Sequence, residues 1–319
     1  MQSFAIAFPG QGSQSVGMLD AWADHPEVRA VLREASDALA QDVGALIANG
    51  PKEELALTTN TQPVMLVAGV AAFRVWMSET GMKPLMVAGH SLGEYSALVA
   101  SGVMTLSQAA PLVRFRAEAM QSAVPIGKGA MAAVLGLDAP TVSSVCSELS
   151  ASMGESEVVE AVNFNDPMQT VIAGTKAAVD AACAEVKARG AKRALPLPVS
   201  APFHSSLMRP AAWTLRERLA QVELQPPQIP LVNNIDVAQE TDVERIRDAL
   251  YRQAFGPVRW VEVVRMMMSQ GADTVVECGP GKVLAGLCKR IDSGLNGLAV
   301  FDPLSLAQAR AALAGGEQQ

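Results

Sequence analysis

The chain is poor in the residues on which metal and redox chemistry usually rest. Its four cysteines, Cys146, Cys183, Cys278 and Cys288, lie far apart with no Cys-x-x-Cys pair among 319 residues. That spacing disfavours a zinc site or a redox dithiol and leaves buried free thiols as the plain reading. The three histidines, His25, His90 and His204, lack the i, i+4 spacing that sets two of them on one helical face for a metal. Positive charge is also short. Twenty-five Lys and Arg stand against 32 Asp and Glu, a net charge of −7, so nothing draws the chain as a whole to a polyphosphate backbone, and general nucleic-acid binding is not expected. The longest apolar run, Val64 to Phe73, ends at Arg74, about half of the roughly 20 residues a membrane-spanning helix needs. The opening Met-Gln-Ser-Phe-Ala-Ile-Ala-Phe-Pro has neither a basic region nor a small-residue cleavage site. The expectation is a cytoplasmic protein with no membrane span, metal or redox cofactor.

Half of the residues are hydrophobic and 18% are charged, which excludes the disordered, collagen-like and coiled-coil classes. Short apolar runs at Phe4–Phe8 and Leu85–Ala88, each broken by glycine, read as buried central strands. Helical periodicity over Pro26–Asp42, Pro63–Glu79 and Leu106–Ser122 separates and follows them, as in a parallel α/β sheet. From Gly129 to Val199 the pattern changes to strand, helix, strand, strand, helix, strand, the order of a ferredoxin-like unit. The expected architecture is therefore α/β: an α/β-hydrolase-like parallel-sheet core, residues 1–128 and 199–308, hosting a ferredoxin-like subdomain at 129–198. A tail is expected at 309–319. The alternation resumes with a helix at Ser205–Val222, a strand at Pro230–Asn233, helices at Asp242–Gln253 and Val261–Gln270, and a strand at Asp273–Glu277.

Gly89-His90-Ser91-Leu92-Gly93 is a Gly-x-Ser-x-Gly elbow, in which glycines permit the sharp strand-to-helix turn that lifts a serine hydroxyl above a sheet. The motif follows an apolar strand and opens a helical segment, Leu92–Ala100, which is the context it requires. A serine hydroxyl needs a neighbouring base, and His204 is the leading candidate. His90 should point away from the hydroxyl, and His25 lies in a polar stretch near the surface. A hydrolase triad on this fold runs Ser, Asp or Glu, His, yet no compelling acid fills the middle place: Asp166, the nearest candidate, falls inside the small subdomain. A backbone carbonyl is the alternative orienting partner. Phe8-Pro9-Gly10-Gln11-Gly12-Ser13-Gln14 follows the first strand but lacks both phosphate-loop and dinucleotide spacing. An oxyanion hole made by the Gln11 and Leu92 amides suits it better. Arg114 and Arg116 flank opposite sides of the apolar face of the Leu106–Ser122 helix, and either guanidinium could hold a substrate carboxylate.

Together the segments Phe8–Gln14, Gly89–Ala97, Arg116, Val162–Asn165, Leu195–Ser200 with His204, and Glu277–Lys282 resemble the malonyl-CoA:acyl carrier protein transacylases over nearly the whole chain. The resemblance implies Ser91 as nucleophile and His204 as general base and acid. It implies Arg116 rather than Arg114 as the malonyl carboxylate's partner, Gln11 and Leu92 as oxyanion donors, and the Gln253 main-chain carbonyl as the group orienting the histidine. It also implies ping-pong transfer of malonyl from malonyl-CoA to the phosphopantetheine thiol of acyl carrier protein, supplying fatty-acid synthesis without a metal. By the same resemblance, Phe203 favours malonyl over methylmalonyl. Acyl carrier proteins are acidic, and Lys192, Arg193, Lys289 and Arg290 form the candidate docking patch on a monomeric enzyme. A serine esterase or thioesterase would share the elbow. A transferase serving polyketide synthesis or malonate decarboxylase would share every residue, and a non-catalytic binding module would share the fold.

Overall fold

The computed structural model describes residues 3–22, 24–199 and 201–315. Its strands are β1 (Phe4–Phe8), β2 (Val87–Gly89), β3 (Gly129–Leu135), β4 (Val159–Asp166), β5 (Gln169–Thr175), β6 (Arg193–Pro196), β7 (Leu231–Val232), β8 (Thr274–Cys278) and β9 (Asn296–Val300). Five of them form a parallel sheet in the order β7-β2-β1-β8-β9. Strand β1 is buried on both faces: Phe4, Ile6 and Phe8 enter one apolar core, and Ala5 and Ala7 enter another. The two-residue period of a strand therefore serves two helical layers at once. Successive connections from β1 run first to one side, through β2 and β7, and later to the other, through β8 and β9. The crevice where they part, beyond the carboxyl ends of the strands, is where open α/β sheets bind ligands. Phe8 pairs in register with Gly89, so the Pro9–Gln14 loop and the serine elbow leave the sheet side by side.

The expected small unit is present as a second, antiparallel sheet in the order β4-β5-β3-β6. Helices Ala139–Ser152 and Lys176–Ala188 cover one of its faces, which receives Ala132 and Val134 of β3. The alternate residue Met131 points to the opposite face and packs with Met120, Phe203 and Met208 of the larger layer system. A cleft opens between the two sheets along this seam.

Several boundaries differ from the sequence expectation, for local reasons. The helix expected from Pro63 begins at Thr58 and runs to Thr80. Before the proline, Asn60 Nδ2 donates to the Glu54 carbonyl and Thr61 Oγ1 to the Leu55 carbonyl, which stitches the extra turn to the preceding helix Lys52–Ala56. That turn carries Gln62 into the site described below. The helix expected over Ser205–Val222 is divided into a 3-10 turn at Ser206–Met208 and an α-helix at Arg209–Leu219. The chain from 309 is not a tail: helix Pro303–Ala314 continues through it, with Ala309 and Leu313 buried. The remainder of the expected tail, from 316, lies outside the described residues.

Candidate active site

The cleft encloses about 400 Å³ and is lined by the Pro9–Gln14 loop, His90, Ser91, Arg116, Met131, Asn163, Phe203 and His204. The elbow at its floor is set by close packing. A Cβ on Gly89 would lie 1.8 Å from the Gly93 carbonyl carbon, and one on Gly93 would lie 2.1 Å from the Phe8 carbonyl oxygen. No side chain fits at either position. Between them Ser91 is held at φ 52°, a left-handed conformation that a non-glycine residue adopts at some cost. Asn234, two residues beyond β7, braces the turn: its Oδ1 accepts from the Ser91 N–H at 2.7 Å and its Nδ2 donates to the Gly89 carbonyl at 2.7 Å.

Ser91 Oγ and His204 Nε2 are 2.6 Å apart. His204 also sits at positive φ, 67°, in a turn tied by Ser205 Oγ donating to the Pro202 carbonyl. Its Nδ1 lies 2.9 Å from the Gln253 carbonyl oxygen. A carbonyl only accepts, so Nδ1 carries the proton and Nε2 presents a lone pair to the serine. Gln253 ends the helix Val243–Gln253, and the residue four places on, Pro257, has no N–H to occupy that carbonyl. Burial, reinforced by the Arg116 charge, pushes His204 down to about 3. It therefore stands neutral, as a base must.

The two candidate arginines part company as their spacing requires. Arg114 Nη2 donates to Gln41 at 2.5 Å, whereas Arg116, 1% exposed, lines the cleft. Gln62 Oε1 accepts from its Nη1 at 2.7 Å, Gln253 Oε1 accepts from its Nη2 at 3.2 Å, and its guanidinium carbon lies 5.5 Å over the Tyr95 ring. Its Nε–H is buried without a partner, and among the described residues no carboxylate lies within ion-pair distance of it. A buried cation held by neutral acceptors, with donor capacity to spare, is built to receive an anion. Gln11 lines the same cleft, and Leu92 caps the helix Gly93–Ala100. Among the described residues, neither the Gln11 nor the Leu92 N–H donates within the protein.

Asp166 does not reach the histidine: it accepts from the Met168 N–H at 2.8 Å and pairs with Arg290 at 3.3 Å. Asp166→Asn should accordingly leave the rate of serine acylation within about threefold, since charge loss at a site outside the reacting shell is a small perturbation. A fall of about 10⁴-fold in that rate, measured by rapid quench, would restore a triad acid. His90 turns from the serine to Asn165 Oδ1, 2.8 Å from its Nε2, and His25 caps helix Pro26–Leu39 beside Glu79. Lys192, Arg193, Lys289 and Arg290 are all exposed. Sequence reasoning missed Gln62, Asn234 and the role of Glu94, which is 1% exposed. Glu94 carried a usable signal: an acid in the first turn of a short helix whose neighbours are otherwise small or apolar must be buried, and a buried carboxylate needs partners.

Residues 6–296 match the acyl transferase domain family. The malonyl CoA-acyl carrier protein transacylase of Escherichia coli (strain K12) is 52% identical over 310 residues, 97% of this chain and 99% of the relative. Among solved structures, an acyl-carrier-protein S-malonyltransferase from Burkholderia pseudomallei 1710b is 62% identical, with TM-score 0.94 and coverage of 97% of this chain and 99% of that one. A malonyl-transacylase in complex with a type II PKS acyl-carrier protein is 49% identical, with TM-score 0.94 and coverage of 99% and 100%. The chain belongs to the malonyl-CoA:acyl carrier protein transacylase family, within the acyl transferase domain family.

Proposed function

We propose that the protein moves a malonyl group from malonyl-CoA to the phosphopantetheine thiol of an acyl carrier protein through a malonyl ester on Ser91. The observation that carries this reading is the pairing, in one cleft, of a serine–histidine couple at 2.6 Å with a buried arginine that has no carboxylate partner among the described residues. The first is acyl-transfer chemistry, and the second selects an acyl group ending in a carboxylate.

Ser91 Oγ gives its proton to His204 Nε2 as it attacks the thioester carbonyl, and the Gln253 carbonyl steadies the imidazolium that forms. The tetrahedral oxyanion is received by the Gln11 and Leu92 N–H groups, the latter at the positive end of a helix. Collapse breaks the carbon–sulfur bond, and coenzyme A leaves with the proton from His204. In the second half His204 takes the proton of the carrier thiol, the thiolate attacks the malonyl ester, and Ser91 Oγ leaves and is reprotonated. Arg116 holds the malonyl carboxylate through both halves. No step requires a metal or redox group.

Carrier docking falls to the exposed Lys192 and Arg193, at the start of β6, and to Lys289 and Arg290, at the end of the helix Val283–Ile291, whose positive charge complements an acidic partner. In this reading the chain before 129 and after 198, through the helix Pro303–Ala314, carries the chemistry, and 129–198 forms the opposite wall. Service to fatty-acid synthesis is the primary reading. The relative solved with a type II PKS acyl-carrier protein supports a second reading, in which the same transfer feeds polyketide synthesis. Intact-mass spectrometry after brief incubation with malonyl-CoA should show one malonyl adduct on the wild type and none on Ser91→Ala. The adduct should persist in water and discharge on addition of carrier protein bearing a free phosphopantetheine thiol. An adduct lost at the same rate without carrier would identify a thioesterase instead.

A further inference from the structure

A buried arginine kept ready for a substrate carboxylate raises an electrostatic problem. An uncompensated charge in the interior is costly, yet a protein carboxylate placed directly on the guanidinium would occupy the fork that the substrate needs. Glu94 lies one hydrogen bond further back. Its Oε2 accepts from Gln253 Nε2 at 2.9 Å and from the Asn234 N–H at 3.0 Å. The same Gln253 amide turns its Oε1 to Arg116 Nη2, 3.2 Å away, and its Nε2 also donates to the Ser91 carbonyl at 3.0 Å. A carboxylate only accepts, so Glu94 fixes which end of the Gln253 amide faces which neighbour. Reversed, the amide would set its NH₂ against the guanidinium and its oxygen against the carboxylate.

We propose that Glu94 is a positioning residue and the spaced counter-ion of Arg116, balancing the buried guanidinium from behind the Gln253 amide and leaving its fork open to the substrate's carboxylate. The proposal rests on the assignment of Arg116 as the carboxylate clamp. Three consequences follow from one geometry. The empty site is close to electrically neutral, the Gln253 backbone that orients His204 is anchored through its own side chain, and an incoming malonyl group adds a second negative charge near Glu94.

That second charge makes the two anions compete for the influence of one cation. Burial holds the Glu94 carboxyl up, at about 7, offset by the bonds from Gln253 and Asn234 and by the Arg116 charge. The other titratable groups facing it are Tyr95 on its own helix and Asp236 after β7. Asp236 is itself ion-paired with Arg252 at 2.6 Å, and His204 remains neutral through the range concerned. As pH falls through about 7, Glu94 takes a proton, the site gains net positive charge, and malonyl binding tightens; as pH rises, it weakens.

Glu94→Gln separates charge from geometry, because both bonds to Glu94 fall on one oxygen, which an amide oxygen can replace. Binding of malonyl-CoA and acetyl-CoA is measured by titration calorimetry at pH 8.5 on a Ser91→Ala background, which cannot be acylated. Glu94→Gln should tighten malonyl-CoA about tenfold, the scale of one charge acting across several ångströms of protein, and leave acetyl-CoA within about twofold. Adding Arg116→Ala should erase the difference. With Glu94 intact, the malonyl-over-acetyl preference should rise from pH 8.5 to 6, and with Glu94→Gln it should stay flat. Parallel weakening of both ligands by Glu94→Gln, or a preference independent of pH with Glu94 intact, would overturn the counter-ion role. Absence of any malonyl preference in the Ser91→Ala protein, unaltered by Arg116→Ala, would overturn the clamp itself.

Discussion

His204→Ala should lower the rate of Ser91 acylation by about 10³–10⁴-fold while leaving malonyl-CoA bound nearly as before. Among the described residues the serine hydroxyl has one base within reach, Nε2 at 2.6 Å, and the imidazole is held to the correct tautomer by the Gln253 carbonyl. Removing the ring leaves the oxyanion donors and the arginine in place, so the defect should appear in single-turnover acylation and not in affinity. The wild-type pH profile carries a second signature. A histidine at its ordinary value would lose its lone pair as pH falls through about 6.5. His204, pushed down to about 3 by burial and then by Arg116, keeps it. Acylation should therefore show no acid-side loss between pH 8 and pH 5, and a falling limb centred near 6.5 would show that His204 is protonated far more readily than its surroundings allow. The burial that protects the base weakens the fold in acid, because the unfolded chain takes up a proton below about 6.5 that the folded state refuses, so stability falls as pH drops below that point.

What could be read in the sequence was local. The strand Phe4–Phe8 and the helix Leu106–Ser122 match their apolar patterns to the residue, the latter because Thr105 and Gln108 form a capping box within four residues of chain. The elbow is equally local, since two glycines decide it. Helix Val283–Ile291 and strand β9 were invisible for the opposite reason. The helix start is held by Glu277 Oε2, which accepts from the Ala285 N–H at 2.8 Å across a Gly-Pro-Gly turn, and β9 exists through its pairing with β8. In the site, Ser91 and His204 follow from residue chemistry and scarcity. Choosing Arg116 over Arg114 took a family resemblance, because both flank the same apolar face and only the distant Gln41 and Gln62 show which way each turns. Asn234 stands 143 residues from Ser91, and no periodicity links such positions. The Gln253 carbonyl did leave a trace, a proline four residues after a helix-ending residue, which marks a carbonyl that the chain itself cannot satisfy.

Arg116→Ala should reduce malonyl transfer by about 10²–10³-fold and leave acetyl transfer within severalfold, the difference being the loss of a buried, charge-assisted pair to the substrate's carboxylate. The comparison between acyl groups is essential, because Arg116 also touches the machinery. Its Nη2 donates to the Gln253 side chain, whose main-chain carbonyl orients His204. A purely structural arginine would, when removed, loosen Gln253 and slow both acyl groups alike. A clamp slows only the one with a free acid. The geometry favours the clamp, since Gln253 keeps two further anchors, Glu94 and the Ser91 carbonyl, after Arg116 is gone. Nor does the deletion strand an anion: Glu94, already held up near 7 with the guanidinium present, loses a stabilising charge and becomes neutral. Arg116→Lys gives the intermediate case. An ammonium keeps the charge but lacks the planar fork, so malonyl transfer should recover in part while acetyl transfer stays where it was, and equal losses for both substrates in both variants would reassign Arg116 to the scaffold.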